Sequence, residues 1–338
     1  MKNSFPTLVK VCLISIYVII LAGATVRMTG SGMGCPDWPK CYGHLIPPTS
    51  ESELLWRADT AFKKGLIIIK DESLLVAKED FISTENFNEH NWKPYTKHDY
   101  ATFNVTHTWV EYINRLTTAF SGVFFLLLIV VSLKFWKEKK LLTLLSFGTL
   151  FLMLFEAWLG KIVVDSNLAI LKITTHMLVA LLIVALLLIL LYNSKAHLKK
   201  YNPDRIFKRL LFITFGLTIL QIVLGIEVRE FVDEQLKVFG FANKQLLDLN
   251  PNTNFLIHRS FSILIVVLNI WLFVRNKKRS LGYALPFWIL VVLGIEVTAG
   301  VLIYYFDFPF GTQAIHMLFA AILFGLQFYL ILQSRKRK

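Results

Sequence analysis

Long apolar blocks alternate with short polar ones along most of this chain. An apolar stretch of about 18 residues or more crosses the hydrocarbon core of a bilayer as a helix. Eight such stretches are present, at about 9–26, 113–133, 141–164, 169–192, 210–228, 255–274, 283–305 and 313–333. The first has the look of a secretory signal, but Arg27-Met28-Thr29-Gly30-Ser31-Gly32 follows it without a small-x-small cleavage pattern, so it reads as a retained helix. The pattern predicts an all-α polytopic membrane protein with eight transmembrane helices and both termini on one side. Only the connection 27–106 is sizeable; its residues 50–100 are polar and mixed in charge, long for a loop between helices, and read as a lid or as a partner-docking surface.

Charge decides the orientation. The 338 residues carry 36 Lys+Arg against 23 Asp+Glu, a formal net charge of +13. A nucleic-acid binder would spread such charge over a hydrated surface, and with 55% hydrophobic and 17% charged residues this chain cannot form one, so no nucleic-acid partner is expected. The basic residues instead sort by side. Lys2, Lys10, Lys134, Lys137, Lys139, Lys140, Lys195, Lys199, Lys200, Arg205, Lys208, Arg209, Arg275, Lys277, Lys278, Arg279 and 335–338 total 20 on the face bearing the termini, with only Glu138 and Asp204 as acids. The other face holds 16 basic residues with 21 acidic ones, a net of −5. By the positive-inside rule both termini are cytoplasmic, in a cytoplasmic (inner) membrane, and the 27–106 loop lies outside.

The chain also repeats itself. Glu156-Ala-Trp-Leu-Gly160 recurs as Glu296-Val-Thr-Ala-Gly300, and His176 and His316 follow at the same interval. Gly23-Ala-Thr-Val-Arg27 resembles Gly225-Ile-Glu-Val-Arg229, and Tyr112-Ile-Asn114-Arg115 resembles Leu256-Ile-His258-Arg259. A duplicated four-helix unit is expected, giving two pseudo-symmetric four-helix bundles: 1–192 with the long outer loop, and 205–338.

His176, His258 and His316 each open an even-numbered span and so should share one depth, toward the outer face. Facing helices of a bundle are where cofactors are held. A hydrogen bond to a neighbouring helix is the plainer role for any one of these histidines, but two at repeat-related positions favour a metal or haem site. Haem suits His258 and His316 better than zinc, since the second half supplies no Cys or third His for a tetrahedral site. Arg259, Arg229 and Arg27 have two readings, pairing with haem propionates or reaching lipid phosphates. In the first half Asn114 stands where His258 stands in the second. Glu111, one turn before it on the same face, fits a proton acceptor or a stabiliser of positive charge. His107 replaces the missing ligand if the helix extends that far, and otherwise sits in the loop.

Cys35 and Cys41 lie in a Gly/Pro-rich turn expected on an oxidising face, which favours a disulfide; a metal site with His44 is the alternative. Cys12 lies within the first span.

Taken together, the eight spans in two repeats, the loop Arg27-Met-Thr-Gly-Ser-Gly-Met-Gly-Cys35-Pro-Asp-Trp-Pro-Lys-Cys41, the opening Glu111-Tyr-Ile-Asn114-Arg115, and His176, His258-Arg259 and His316 resemble the haem A synthase family over nearly the whole chain outside 50–100. The resemblance implies oxidation of the C8 methyl of haem O to a formyl by successive hydroxylations, with water as the oxygen source, giving haem A for terminal oxidases. It implies a haem b cofactor at His258 and His316 with Arg259 beside it, and substrate haem O at His176, Asn114 and Arg115. Glu111 becomes the essential acid and Cys35–Cys41 a disulfide. The implied partners are haem O synthase as donor of substrate, the terminal oxidase assembly machinery and membrane lipid. Two features depart from the family pattern: Asn114 replaces the usual histidine, and residues 229–254 lack the second cysteine pair of some members. An electron-transfer cytochrome explains the histidines but gives Glu111 no task, and a transporter would use Glu156 and Glu296 as coupling acids.

Overall fold

The computed structural model describes residues 4–96, 102–166, 170–194, 201–240, 243, 246–247 and 253–335. Of the basic residues used for orientation, Lys2, Lys195, Lys199, Lys200 and 336–338 lie outside the described residues, as do 97–101 of the long connection. Eight long helices form: α1 (Ser4–Thr29), α2 (Val105–Ser132), α3 (Lys140–Asp165), α4 (Ile170–Ser194), α5 (Arg205–Phe239), α6 (Thr253–Lys278), α7 (Leu285–Tyr305) and α8 (Thr312–Ser334). Each is long and apolar enough to cross a membrane.

Two helices run well past their apolar cores. Helix α2 starts at Val105 rather than 113 because Asn104 caps it, its side-chain oxygen accepting from the N–H of His107 at 3.0 Å. His107, Thr108 and Glu111 therefore lie on the helix. Helix α5 has 35 residues, a length of about 52 Å against a hydrocarbon thickness of about 30 Å. Its last turns are tied down by a cluster in which Val232 and Leu236 pack with Phe255 and Phe308. Glu230, Asp233 and Glu234 break the apolar pattern there, so hydropathy alone stops the helix at 228.

The chain divides into two compact units, one of residues 1–25, 119–156 and 174–338 and the other of 26–118 and 157–173. In the first unit α5 packs on α6 and α8, and α7 packs on α6 and α8. Phe207, Leu211, Ile265, Leu272, Ile289 and Leu330 fill the space between these helices. Across the α6–α8 seam the amide of Gln327 donates to Asn269 Oδ1 at 3.1 Å, both side chains being fully buried. The same unit holds an apolar cluster drawn from α1, α2, α3, α4 and α8, centred on Val9, Phe125, Met153, Leu187 and Phe324.

The second unit holds the long first connection. What the sequence offers only as a polar segment folds into two small antiparallel sheets. Strand β1 (Ala61–Phe62) pairs with β4 (Phe81–Ile82), while β2 (Ile67–Lys70), β3 (Ser73–Ala77) and β5 (Trp92–Pro94) make a three-stranded sheet in the order β2-β3-β5. Lys70 pairs with Ser73 across a two-residue turn in which Asp71 and Glu72 both adopt positive φ, the hairpin geometry that matches strand twist. Phe62 of the first sheet and Ile68, Ala77 and Trp92 of the second form one shared core.

At the start of α5, Asp204 does two jobs. Its carboxylate caps the helix by accepting from the N–H of Phe207 at 2.7 Å, and it takes a forked pair of bonds from Arg275 at 3.1 and 3.0 Å. Burial alone would raise its pKa, but Arg275 and the capping N–H outweigh that and hold it below the usual range. A carboxyl depressed in the folded state stabilises above its unfolded pKa of about 3.9 and loses that contribution as pH falls through the folded value. Asp204→Ala should cost about 1–2 kcal/mol at neutral pH, read as a lower midpoint of thermal unfolding in detergent. The gap to the wild type should close in acid, below about pH 4.

Candidate active site

Three of the repeat-related histidines lie where the spans predict, in the first two turns of α4, α6 and α8. The rings of His258 and His316 face each other with centroids 6.4 Å apart. Two metal–imidazole bonds of about 2 Å placed end to end, with the two ring radii, span about 6 Å, so the centroid separation is that of two imidazoles sharing one metal ion. Glycines make the room. A Cβ on Gly225 of α5 would come within 3.0 Å of His258 Cε1, and one on Gly300 of α7 within 3.5 Å of His316 Cε1. One turn before Gly225, Gln221 donates to the backbone carbonyl of His258 at 2.9 Å, so a single face of α5 holds the backbone of that histidine and accommodates its ring. Among the described residues no cluster of three or more His, Cys, Asp or Glu is arranged to hold a metal ion.

The recurring Glu–His interval has a common geometry. His176 Nδ1 lies 3.2 Å from Glu156 Oε1, and His316 Nδ1 lies 3.3 Å from Glu296 Oε1. His316 Nδ1 is also 3.1 Å from the backbone carbonyl of Glu296.

Glu111 belongs to a different arrangement, in the second unit. Its Oε2 accepts from the N–H of Cys35 at 2.9 Å, and its Oε1 accepts from Arg115 one turn along α2. Arg115 also donates to the carbonyls of Asp37 at 2.7 Å and Lys40 at 2.9 Å, and Thr108 donates to the carbonyl of Gly34 at 2.8 Å. Cys35 and Cys41 form the disulfide, which removes both thiolates from the alternative metal site with His44. A carboxylate that is 3% exposed, Glu111, thus sits at the centre of a clamp between the cysteine loop and the first turns of α2. Asp37 completes the loop by accepting from Gly43 at 3.0 Å; burial pushes its carboxyl above the usual range, opposed by the N–H groups of Gly43 and Tyr42 and by Arg115. Gly34 has no substitute, because a Cβ there would lie 2.5 Å from the carbonyl of His107 and 2.7 Å from the nitrogen of Thr108.

The remaining expected residues separate. Asn114 presents a buried side-chain oxygen with no hydrogen-bond partner, on the helix that carries Glu111. His107 lies on α2, so the helical alternative for it holds. Arg259 is exposed, 5.8 Å from the Phe255 ring. Arg229 pairs with Asp233 at 2.7 Å and donates to Gln313, a partner the sequence reading missed. Gln313, Thr108 and Gln221 carry no local signal, since each acts on a residue 37 or more positions away.

Over residues 6–328 the chain matches the family described as Cytochrome oxidase assembly protein. It belongs to that family. The relatives it resembles include "Heme A synthase" of Ehrlichia canis (strain Jake), 27% identical over 353 residues, covering 95% of this chain and 90% of that protein. "Heme A synthase" of Ehrlichia ruminantium (strain Gardel) is 24% identical over 348 residues, 95% and 90% of the two chains. The Bacillus pumilus (strain SAFR-032) protein of the same name is 21% identical over 355 residues, 98% and 95% of the two chains. With eight membrane-length helices, this cytochrome oxidase assembly protein is a multi-pass membrane protein.

In this family member, Gly34→Ala should displace the cysteine loop from α2 while leaving the disulfide intact. Limited proteolysis within 36–60 should speed up at least tenfold, with thiol alkylation under denaturing conditions still showing only Cys12 reactive. Unchanged proteolysis would mean that the loop is held by something other than this close approach.

Proposed function

We propose that this chain is a haem A synthase, an oxidoreductase that converts the C8 methyl of haem O to a formyl with water as the oxygen source, supplying haem A to a terminal oxidase. The observation that carries the reading is the His258–His316 pair, spaced for one metal ion and roomed by glycines, in a member of the cytochrome oxidase assembly family whose relatives bear the name Heme A synthase. His258 and His316 would hold the iron of a haem b, with Arg259 near enough in sequence to meet a propionate. Bound there, haem b would supply one-electron transfer away from the substrate.

The protein's own groups take the remaining tasks. His176, and Asn114 with its unpartnered oxygen, are assigned to substrate haem O, with His107 as the further donor on the same helix. Glu111 is the acid placed to hold a proton or to stabilise positive charge developing at the substrate methyl. The clamp adds a reason for its low exposure: the Cys35 N–H and the Arg115 guanidinium fix both carboxylate oxygens, so the group is held in one orientation. The same bonds give Arg115 support of Glu111 as a further task beside the proposed substrate contact. Amphiphilic haem O would enter from the membrane with its tail in lipid, from haem O synthase as donor. The charge distribution supports cytoplasmic termini and a site toward the outer face of the cytoplasmic membrane. The Glu156/His176 and Glu296/His316 pairs, alike in spacing and distance, support the duplication into 1–192 and 205–338.

Extraction of haems from the purified protein separates this reading from its rivals. Haem B together with haem O, haem A or a hydroxylated intermediate is expected; haem B alone would make it an electron-transfer cytochrome, and no haem at all would leave transport. Glu111→Gln keeps an acceptor for the Cys35 N–H while removing the charge. It should retain haem B and lower haem A formation by about 10²–10⁴-fold, and normal haem A accumulation would sink the role given to Glu111. Asn114→His should raise occupancy and low-spin character of the substrate haem; no change would place that ligand elsewhere.

A further inference from the structure

Glu156 and Glu296 are left without a task by the reaction just described, yet both are polar groups carried by membrane-spanning helices, where an acid is retained only for a reason. Glu156 Oε2 and Glu296 Oε2 are buried and have no hydrogen-bond partner. Each carboxyl group's contact is therefore through Oε1, with the histidine that follows it by the same interval. At Glu296 the arrangement is tighter: its backbone carbonyl at 3.1 Å and its carboxylate oxygen at 3.3 Å both face His316 Nδ1. A ring nitrogen set against two acceptors carries the proton, which leaves the lone pair on Nε2. The Nδ1 atoms of His258 and His176 are, by contrast, buried without a hydrogen-bond partner, His176 Nδ1 lying 3.2 Å from Glu156 Oε1 as a charge contact only. The two rings are thus held differently: Nδ1 of His316 is set against the carbonyl and carboxyl group of Glu296, whereas His258 is held only through its backbone carbonyl and the glycine beneath it.

We infer that Glu296 is a positioning residue that fixes the tautomer and ring orientation of His316 and lowers the reduction potential of the group bound between His258 and His316. The inference rests on the reading of His258 and His316 as axial ligands. A carboxylate behind a ligating imidazole raises its basicity, and a more basic ligand favours the higher oxidation state. Simple packing needs neither the acid nor its recurrence, since Gln or Leu fills the same space.

The test is a redox titration of the purified protein in detergent, followed by visible and low-temperature EPR spectra, on wild type, Glu296→Gln, Glu296→Leu, Glu156→Gln and His316→Ala. Glu296→Gln keeps an acceptor for Nδ1 but loses the charge. It should keep the low-spin signature and shift the preference between ferric and ferrous forms about tenfold toward the ferrous, an increase of about 59 mV for a one-electron couple. Glu296→Leu should lose the acceptor too, with at least about tenfold weaker haem retention. Glu156→Gln should leave that potential unchanged. A wild-type potential and spectrum in both Glu296 variants, or an equal shift in Glu156→Gln, overturns the inference while leaving the haem reading intact. Absence of a six-coordinate haem from the wild type, or its persistence in His316→Ala, overturns the ligand reading and the inference with it.

Discussion

In the hydrocarbon interior of a membrane no water is present to satisfy a polar group, so each one must find its partner within the protein. That constraint organises this chain. Within the helices it is met locally: Thr214 and Thr218 donate back to carbonyls one turn earlier, as do Ser146 and Ser132. Between helices it is met in pairs, Asn269 with Gln327, Gln221 with the carbonyl of His258, and His316 with the carbonyl of Glu296. Where it is met incompletely, the leftover atoms include ones on Asn114, His176, His258, Glu156 and Glu296, together with Gln221 Oε1 and Gln327 Oε1. Unsatisfied buried groups at ligand positions are what a site made for a further molecule leaves behind when that molecule is considered apart from the protein.

The clamp around Glu111 follows the same logic at the edge of the membrane. A buried carboxylate is costly unless its oxygens are engaged, and here a backbone N–H from the cysteine loop and a guanidinium from the next turn engage both. One consequence is structural, since the disulfide loop is docked onto α2 through the very residue proposed to act on substrate. Another is chemical, since removing Glu111 altogether would release the loop as well as the charge, and the two effects are separable only with a substitution that keeps an acceptor.

Much of the architecture was legible beforehand because apolar length is a nearly local property. The eight helices follow from composition within windows of about 20 residues, and so do the places of His176, His258 and His316 near the starts of α4, α6 and α8. The first turns of α2 and the last turns of α5 were not legible, because their polar residues are accommodated by distant partners such as Gly34, Cys35 and Phe308. The small sheets of the first connection were missed for a related reason: strands of two to five residues joined by an Asp71-Glu72 turn have no periodicity long enough to read.

Sequence by itself determined the number of spans, the split of charge between alternate loops, the repeated intervals and the residue types available for chemistry, because hydropathy, charge counts and intervals are sums over neighbours in the chain. Only the tertiary structure decided what each of those residues does. It turned the repeated interval between Glu296 and His316 into a contact at 3.3 Å, set the His258 ring against Gly225, and joined Arg115 to Glu111 and the cysteine loop. Those outcomes depend on which helix faces which, and a helix of apolar residues carries little in its own sequence to say where its few polar atoms will find their partners.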